Sequence, residues 1–457
     1  MPATLSALEQ RLDQPTAKGL AHAVSAAIRD GVLVAGDRLP PIRTVAAQLA
    51  LSPTTVSAAW GLLARSGAVS TDGRRGTTVR DQRGPTGGRY RQALRHESDF
   101  ALDLSTGVPD PRLLPSLGHV LAQLTSAPTT GSYLDDPVLP ALADVLRADW
   151  PYAAGDLAVV DGAMDAMDLI VRTSLRFGDR VVVEDPGFPP LVDLLESVGV
   201  QLVGVPVDAE GLDLTALESA LADPVAAIFL QPRAQNPVGV TMTASRARAI
   251  AELLDGSETL VVEDDSAAGL SSATLASIGR WRPGHTAYIR SFSKSHGPDL
   301  RLAALSAPPD LHRAITARRE LGQGWSSRLL QQVLLGLLTN DAARAQVARA
   351  TVTYAARRAH VVDALAGRGI TVPGTEGINI WVPVHDETAA VVRLASQGIG
   401  VAPGAPFRLG PPDGAPERGG HLRVTVGAAG DDPDGLDGLA QALAEAALAG
   451  GRPARAR

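Results

Sequence analysis

The sequence predicts a small winged helix-turn-helix head, a linker, and a larger three-layer α/β body on a largely parallel sheet, with boundaries at residues 1–80, 81–100 and 101–457. Three observations point to this. Residues 14–79 hold apolar stripes at helical spacing, then a basic Gly-Arg turn between β-prone runs. Residues 80–100 are rich in Gly and Arg without a sustained apolar period, which marks a linker. Beyond them short β-rich runs alternate with helical stretches, the pattern of strand, crossover helix and parallel strand.

In the head, Leu20, Val24 and Ile28 recur at i, i+4, i+8 within residues 14–32, a stripe closed by Gly31. A Gly-Asp turn leads to LPPIRTVAAQLAL, where Val45 and Leu49 again share a face. Ser52-Pro53 then supplies a side-chain acceptor for an N-cap and a proline at the first helical position. The helix it opens buries Val56, Trp60 and Leu63, stops at Gly67, and presents Thr54, Thr55 and Ser57 from its first turn on another face. Two short strands around Gly73-Arg74-Arg75-Gly76 complete a wing. In such a domain the second helix enters the major groove of double-stranded DNA, and the wing arginines, here Arg74 and Arg75, meet phosphate or the minor groove.

In the body, LAVV, RVVVED, VQLVGVPV, AAIFL, TLVVED and TAYIRSF read as strands. Charge divides along the same boundaries. The head holds nine basic and five acidic residues, +4, the linker carries +1 and the whole chain −7, which leaves −12 on the body. A basic head on an acidic body suits a protein that meets DNA through the head alone.

Composition excludes several classes. There is no cysteine, hence no disulfide framework, thiolate catalysis or Cys-ligated metal, and no metal site is expected. No apolar run approaches the roughly 20 residues needed to span a bilayer, and MPATLSALEQ lacks the basic start and apolar core of a signal peptide. A cytoplasmic protein without a membrane partner is expected. Of the 42 basic residues only Lys18 and Lys294 are lysines. Where a positive charge suffices the chain uses arginine. A retained lysine is a candidate for what arginine cannot do, losing a proton and attacking a carbonyl. Lys294 lies in AYIRSFSKSHGPDLRLAAL, where a strand-like run ends, Ser291 and Ser293 flank a turn, and Arg301 follows. A Schiff-base lysine needs a desolvated pocket, and hydroxyls with an arginine suit a phosphate on the same cofactor. Pyridoxal phosphate needs such a set. Lys18 is assigned no function.

Residues 14–79 resemble the GntR-type winged helix through Leu39-Pro40-Pro41-Ile42-Arg43, Leu49, the Ser52-to-Val56 helix start, Leu63, Gly67, and Gly76 before Val79. The resemblance implies that Arg43 contacts DNA and that Thr54, Thr55 and Ser57 meet base edges or backbone. That family often has arginine where Pro53 and Ser57 stand, so the target sequence stays open. SFSKSHGPDLR resembles the pyridoxal-phosphate lysine motif of fold-type I aminotransferases, in the form found in MocR-type regulators, and further segments follow in that family's order over about residues 101–450. LDLSTGVPDP resembles its opening strand and loop. The resemblance implies a fold-type I body with a smaller C-terminal α/β subdomain, and a Schiff base between Lys294 and pyridoxal 5'-phosphate. By the same resemblance Tyr133 reaches the phosphate in the partner subunit. Gly162, Ala163 and Met164, after Asp161, form the helix N-terminus that holds phosphate, joined by Ser291, Ser293 and Arg301. Phe188 stacks on the pyridine ring, Asn236 bonds the ring hydroxyl, and Asp264 keeps the pyridine nitrogen protonated. Arg423 grips an effector carboxylate.

The chain departs from that pattern at named positions. Ser266 stands where the family has tyrosine, Val138, Leu142 and Ala143 replace a glycine and a leucine-arginine pair, and His296 is an unusual neighbour of the lysine, expected to pack. The reading that follows is a MocR-like homodimeric regulator. It binds paired half-sites on DNA and senses pyridoxal phosphate, or an amine or amino-acid effector, at Lys294. An active aminotransferase with an accessory head is the rival, and a scaffold without cofactor is a third reading.

Overall fold

The computed structural model describes residues 2–12, 14–29, 32–34, 36–65, 69–72, 76–79, 88–89, 100–124, 132, 134–409 and 420–449. Every β-rich run read from the body sequence is a strand of one eight-stranded sheet, ordered Leu157–Val160, Ala303–Ser306, Thr286–Ser291, Leu260–Asp265, Ala227–Leu230, Arg180–Asp185, Gln201–Asp208, Gly211–Leu212. Thr286–Ser291 through Gln201–Asp208 pair in parallel. Ala303–Ser306 runs antiparallel to both neighbours, and Gly211–Leu212 closes a hairpin at the far edge. The sequence reading misses Ala303–Ser306 for a physical reason. Its residues are Ala-Ala-Leu-Ser, without β-branching, and burial of all four between two strands holds them extended.

Alternating side chains separate two cores. Val181, Val183, Phe229, Val262 and Ile289 pack under the helices Ala163–Ser174 and Pro189–Ser197. Val182, Ile228, Leu230 and Val261 pack against the helices Leu214–Ala220 and Ala244–Leu253 on the other face. The register brings functional loops to one edge. Ser291 pairs with Ala303, Ala303 with Val160, Arg290 with Asp265, and Leu230 with Glu263. The loops leaving these strands therefore open at the carboxyl edge of the sheet, where open α/β sheets bind ligands.

A smaller subdomain is built on Ile380–Val384, Gly420–Val424 and Ala402–Pro403, covered by Asp341–Ala366, Glu387–Ser396 and Pro433–Ala447. Leu102–Asp103 pairs in parallel with Ile399–Gly400, and Leu104 joins the same core, so the chain enters the body through the subdomain that also ends it. Arg357 locks this entry. It reaches Asp110 Oδ2 at 2.9 Å and Asp431 Oδ1 at 2.7 Å, and Arg112 closes on Asp110 at 2.7 Å.

The head consists of helices Ala17–Arg29, Ile42–Gln48 and Pro53–Arg65 and the antiparallel pair Val69–Asp72 and Gly76–Val79, with a further helix, Pro2–Glu9, that its sequence does not announce. Leu20, Val24, Val45, Val56, Trp60 and Leu63 form its core, and Ile28 packs on them. Gly31, Gly67, Arg74 and Arg75 lie outside the described residues. In the linker, Arg89 Nε donates to Asp193 Oδ1 at 2.8 Å, and its Nη2 to Glu196, on the helix Pro189–Ser197. This arginine serves as a tether. Among the described residues no helix is long and apolar enough to cross a membrane.

Arg357→Ala would strip Asp110 of its buried partner. Arg112 keeps the carboxylate paired, so the expected cost is roughly 1–3 kcal/mol in thermal or urea unfolding. The side-chain and backbone bonds from Arg112, then the one from Arg357, hold the Asp110 carboxyl down at about 2. Because the folded-state value is the lower one, the stabilisation is complete above about pH 4 and is lost as pH falls toward 2. Urea midpoints at about pH 5 and pH 3 should therefore differ less in Arg357→Ala than in the parent.

Candidate functional site

The turn after Thr286–Ser291 carries Lys294 to the carboxyl edge of the sheet. Its Nζ donates to the Gly107 carbonyl at 2.7 Å, across to the chain's entry segment. Gly107 has a φ of 68°, and a side chain there would collide with the Arg423 guanidinium. Arg423, on the strand Gly420–Val424, donates through Nη2 to the Ser105 carbonyl and lies 5.4 Å from the Phe407 ring. Burial, and next the charge of Arg423, push the Lys294 ammonium down to about 8, with Asp264 opposing. An amine brought down toward neutral pH holds more of its reactive, unprotonated form than an ordinary lysine, which is what a nucleophilic lysine requires. The Ser293 N–H points to Ser291 Oγ at 3.4 Å. His296 packs edge-on against Phe292, its Nδ1 lies 2.9 Å from Ser295 Oγ, and burial pushes it to about 4.

Asp264 is the last residue but one of the strand Leu260–Asp265, in a buried position. Oδ2 accepts from Gln231 Nε2 at 2.7 Å, whereas Oδ1 is buried without a hydrogen-bond partner. Burial pushes this carboxyl up to about 7, and the Gln231 bond and Lys294 counteract it. An orphaned buried acceptor is costly, and a cationic N–H placed on Oδ1 would satisfy it. Phe188, Gln231 and Asp264 line one cavity. Asn236, Ser266 and Lys294 line another, and Asn236 Oδ1 is likewise buried without a hydrogen-bond partner. Both orphans fit the donors of a pyridoxal ring, the pyridinium N–H and the ring hydroxyl.

An anion cradle lies on the loops to one side. Gly162, with φ 97°, caps the helix Ala163–Ser174, so Ala163 and Met164 form its first turn with N–H groups not yet bonded within the helix. Arg301, itself left-handed at φ 48°, donates to the Asp161 carbonyl at 3.2 Å. A Cβ at Gly162 would sit 2.9 Å from Arg301 Nη2, so glycine is what lets the guanidinium close over the helix end. A phosphate suits this charge and shape.

The structure thus brings Lys294, Asp264, Asn236, Phe188 and Arg423 into one region and sets Gly162, Ala163, Met164 and Arg301 at the neighbouring strand ends. Tyr133 lies outside the described residues. In the head, Arg43 and Ser57 are exposed. Ser52 Oγ accepts the Thr55 N–H at 3.0 Å and bonds the hydroxyls of Thr54 and Thr55 at 2.7 and 2.8 Å, so the expected cap forms and draws in two of the expected DNA contacts. Val138, Leu142 and Ala143 are core residues. Sequence reasoning missed Gln231, Ser105 and Gly107. Gln231 had a signal, a polar residue directly after the apolar run AAIFL.

Residues 101–443 match the family Aminotransferase class I and II, and residues 16–79 match Bacterial regulatory proteins, gntR family. The vitamin B6 salvage pathway transcriptional repressor PtsJ of Salmonella typhimurium is 34% identical over 429 residues, covering 92% of this chain and 96% of its own. The pyridoxine biosynthesis transcriptional regulator PdxR of Corynebacterium glutamicum is 28% identical over 390 residues, 81% of this chain and 84% of its own. Among solved structures, the fold matches Pyrococcus horikoshii kynurenine aminotransferase with TM-score 0.69 at 23% identity, over 79% of this chain and 95% of that one. It also matches LysN, an α-aminoadipate aminotransferase of Thermus thermophilus, with TM-score 0.67 at 21% identity, over 79% and 96%.

With an amine that gives up its proton near pH 8, reaction of the cofactor-free protein with an aldehyde should accelerate about tenfold per pH unit below that point and level off above it. Stopped-flow absorbance with pyridoxal phosphate measures this rate, and Lys294→Ala should abolish it.

Proposed function

Because the chain belongs to the aminotransferase class I and II family and bears a gntR-family head, we propose that it is a pyridoxal-phosphate-dependent transcription regulator of the MocR type. One observation supports this above the rest. A buried Asp264 with an unpartnered Oδ1 faces the same region as a lysine brought down to about 8, on a chain whose other end is built to hold DNA. When bound, pyridoxal phosphate supplies an aldehyde for primary amines and an electron-withdrawing ring. Lys294 is the amine that joins it. Asp264 holds the pyridine proton through Oδ1, Asn236 serves the ring hydroxyl, and Phe188 covers a ring face. Gly162, Ala163 and Met164 offer N–H groups to the phosphate, with Arg301, Ser291 and Ser293 beside them.

Two relatives are named for control of vitamin B6 salvage and pyridoxine biosynthesis, which favours pyridoxal phosphate itself as the sensed ligand. A second ligand class is supported by Arg423. Its guanidinium stands beside Gly107, whose carbonyl holds Lys294, so an amine effector with a carboxylate would find both partners. The head binds DNA through Arg43, Thr54, Thr55 and Ser57, with Arg74 and Arg75 on the wing. We propose a homodimer in which Tyr133 reaches the partner's phosphate site and the two heads read paired half-sites.

Purified protein supplied with pyridoxal phosphate should absorb visible light, and borohydride should fix the cofactor to Lys294. Protein that stays colourless would refute the cofactor assignment. Arg43→Ala should weaken binding to the protein's own upstream DNA roughly tenfold and flatten its salt dependence by about one phosphate contact, read by fluorescence anisotropy across a salt series. Steady keto-acid production without specific DNA retention would instead mark an aminotransferase.

A further inference from the structure

Gln231 follows the strand Ala227–Leu230, and the parallel pairing of Leu230 with Glu263 sets it level with Asp264. Level neighbours in a parallel ladder share a face, here that of Phe229 and Val262, on which Phe188 packs. The residue is 7% exposed, and both ends of its amide are hydrogen-bonded. Nε2 donates to Asp264 Oδ2 at 2.7 Å and points to Ser266 Oγ at 3.2 Å, while Oε1 accepts the Asn236 N–H at 2.8 Å. Its own backbone N–H donates to Glu184 Oε2 at 3.1 Å.

Packing alone does not explain an amide here, because leucine would fill the volume without needing partners. Nε2 can only donate. It therefore favours the ionised form of Asp264, and by occupying Oδ2 it leaves Oδ1 as the one open acceptor. Through Oε1 the same amide fixes the Asn236 loop, and through Ser266 the loop after the Asp264 strand. Those two loops and Lys294 border one cavity.

On the reading that this pocket takes pyridoxal phosphate, we infer that Gln231 is a positioning residue that holds Asp264 ionised and oriented for the pyridine nitrogen. It acts through Asp264 and does not itself touch the ligand.

Gln231→Leu removes the donor at similar volume. Pyridoxal phosphate affinity, titrated by visible absorbance, should fall roughly tenfold or more, because without that donor Asp264 is less ionised and less well aimed at the pyridine N–H. Losing a donor that favours the ionised carboxyl moves Asp264 protonation to higher pH. The deficit against the parent should therefore be largest near about pH 6 and shrink by about pH 9. Gln231→Glu is nearly isosteric and sets a second acid against the first. Its deficit should instead grow with pH, and it serves as the test if Gln231→Leu does not fold. In an Asp264→Asn background, Gln231→Leu should cost clearly less than in the parent, the remainder being its hold on the Asn236 and Ser266 loops, whereas a purely structural role would give the same loss in both. Parental affinity and pH profile in the Gln231 variants, or an equal loss in the Asp264→Asn background, would overturn the role of Gln231 alone. A parent protein that takes up no pyridoxal phosphate would overturn the cofactor reading and this role with it.

Discussion

Burying a carboxyl and an amine at the same edge of one sheet is the constraint on which the body depends. An isolated charge in such a place costs several kcal/mol, so each group must find a partner or lose its charge. Asp264 leans on Gln231, and Lys294 on the Gly107 carbonyl. Neither support is local in sequence. Gln231 arrives because two parallel strands keep register, and Gly107 because the entry segment pairs with the smaller subdomain. Arg423 comes from that subdomain too, and its guanidinium lies where any residue larger than Gly107 would stand. The pocket is therefore a joint between two packed units, lined on one side by Asn236, Ser266 and Lys294 and on the other by Gly377, Ile378 and Asn379.

Much of this was legible in the sequence. The β-rich runs, the Ser-Pro helix start and the single body lysine each carry a local signal, and local signals survive folding when tertiary packing agrees with them. What was not legible depends on neighbours that chain order does not reveal. Ala303–Ser306 has poor strand character and is held extended by the strands on either side. Gly107 reads as an ordinary loop glycine until Arg423 closes on it. Gln231 reads as the end of an apolar run until Asp264 is seen level with it. That Lys294, Asp264, Asn236 and Phe188 come into one region follows from resemblance rather than periodicity, because resemblance transmits spatial information that periodicity lacks.

The head shows the same economy of polar groups. Ser52 caps its helix with one hydroxyl and gathers those of Thr54 and Thr55. Hydroxyls committed to a cap are pre-oriented, and meeting phosphate or a base edge then costs them little further ordering. Arg43 is exposed one helix earlier and brings the formal charge. On the proposed function, affinity that depends on salt would come from Arg43, and orientation from the hydroxyls. The net negative body would keep the rest of the chain off the polyanion.

The near absence of lysine divides the cationic work by chemistry. Buried arginines here serve as multi-donor ties. Arg358 donates to the carbonyls of Asn379, Pro373 and Gly374, Arg282 to those of Leu254 and Ser257, and Arg357 to Asp110, Asp431 and Gly427. A planar fork with five N–H donors suits that task, and an ammonium would leave carbonyls unmet. The same guanidinium could not do the work of Lys294, because it keeps its proton at any physiological pH and has no lone pair to offer a carbonyl. Burial that would merely penalise an arginine instead converts a lysine into a nucleophile. The desolvation that pushes Lys294 down to about 8 is thus the same physical effect that leaves Asp264 in need of a cationic partner, and a single ligand bearing an aldehyde and a protonated ring nitrogen would answer both.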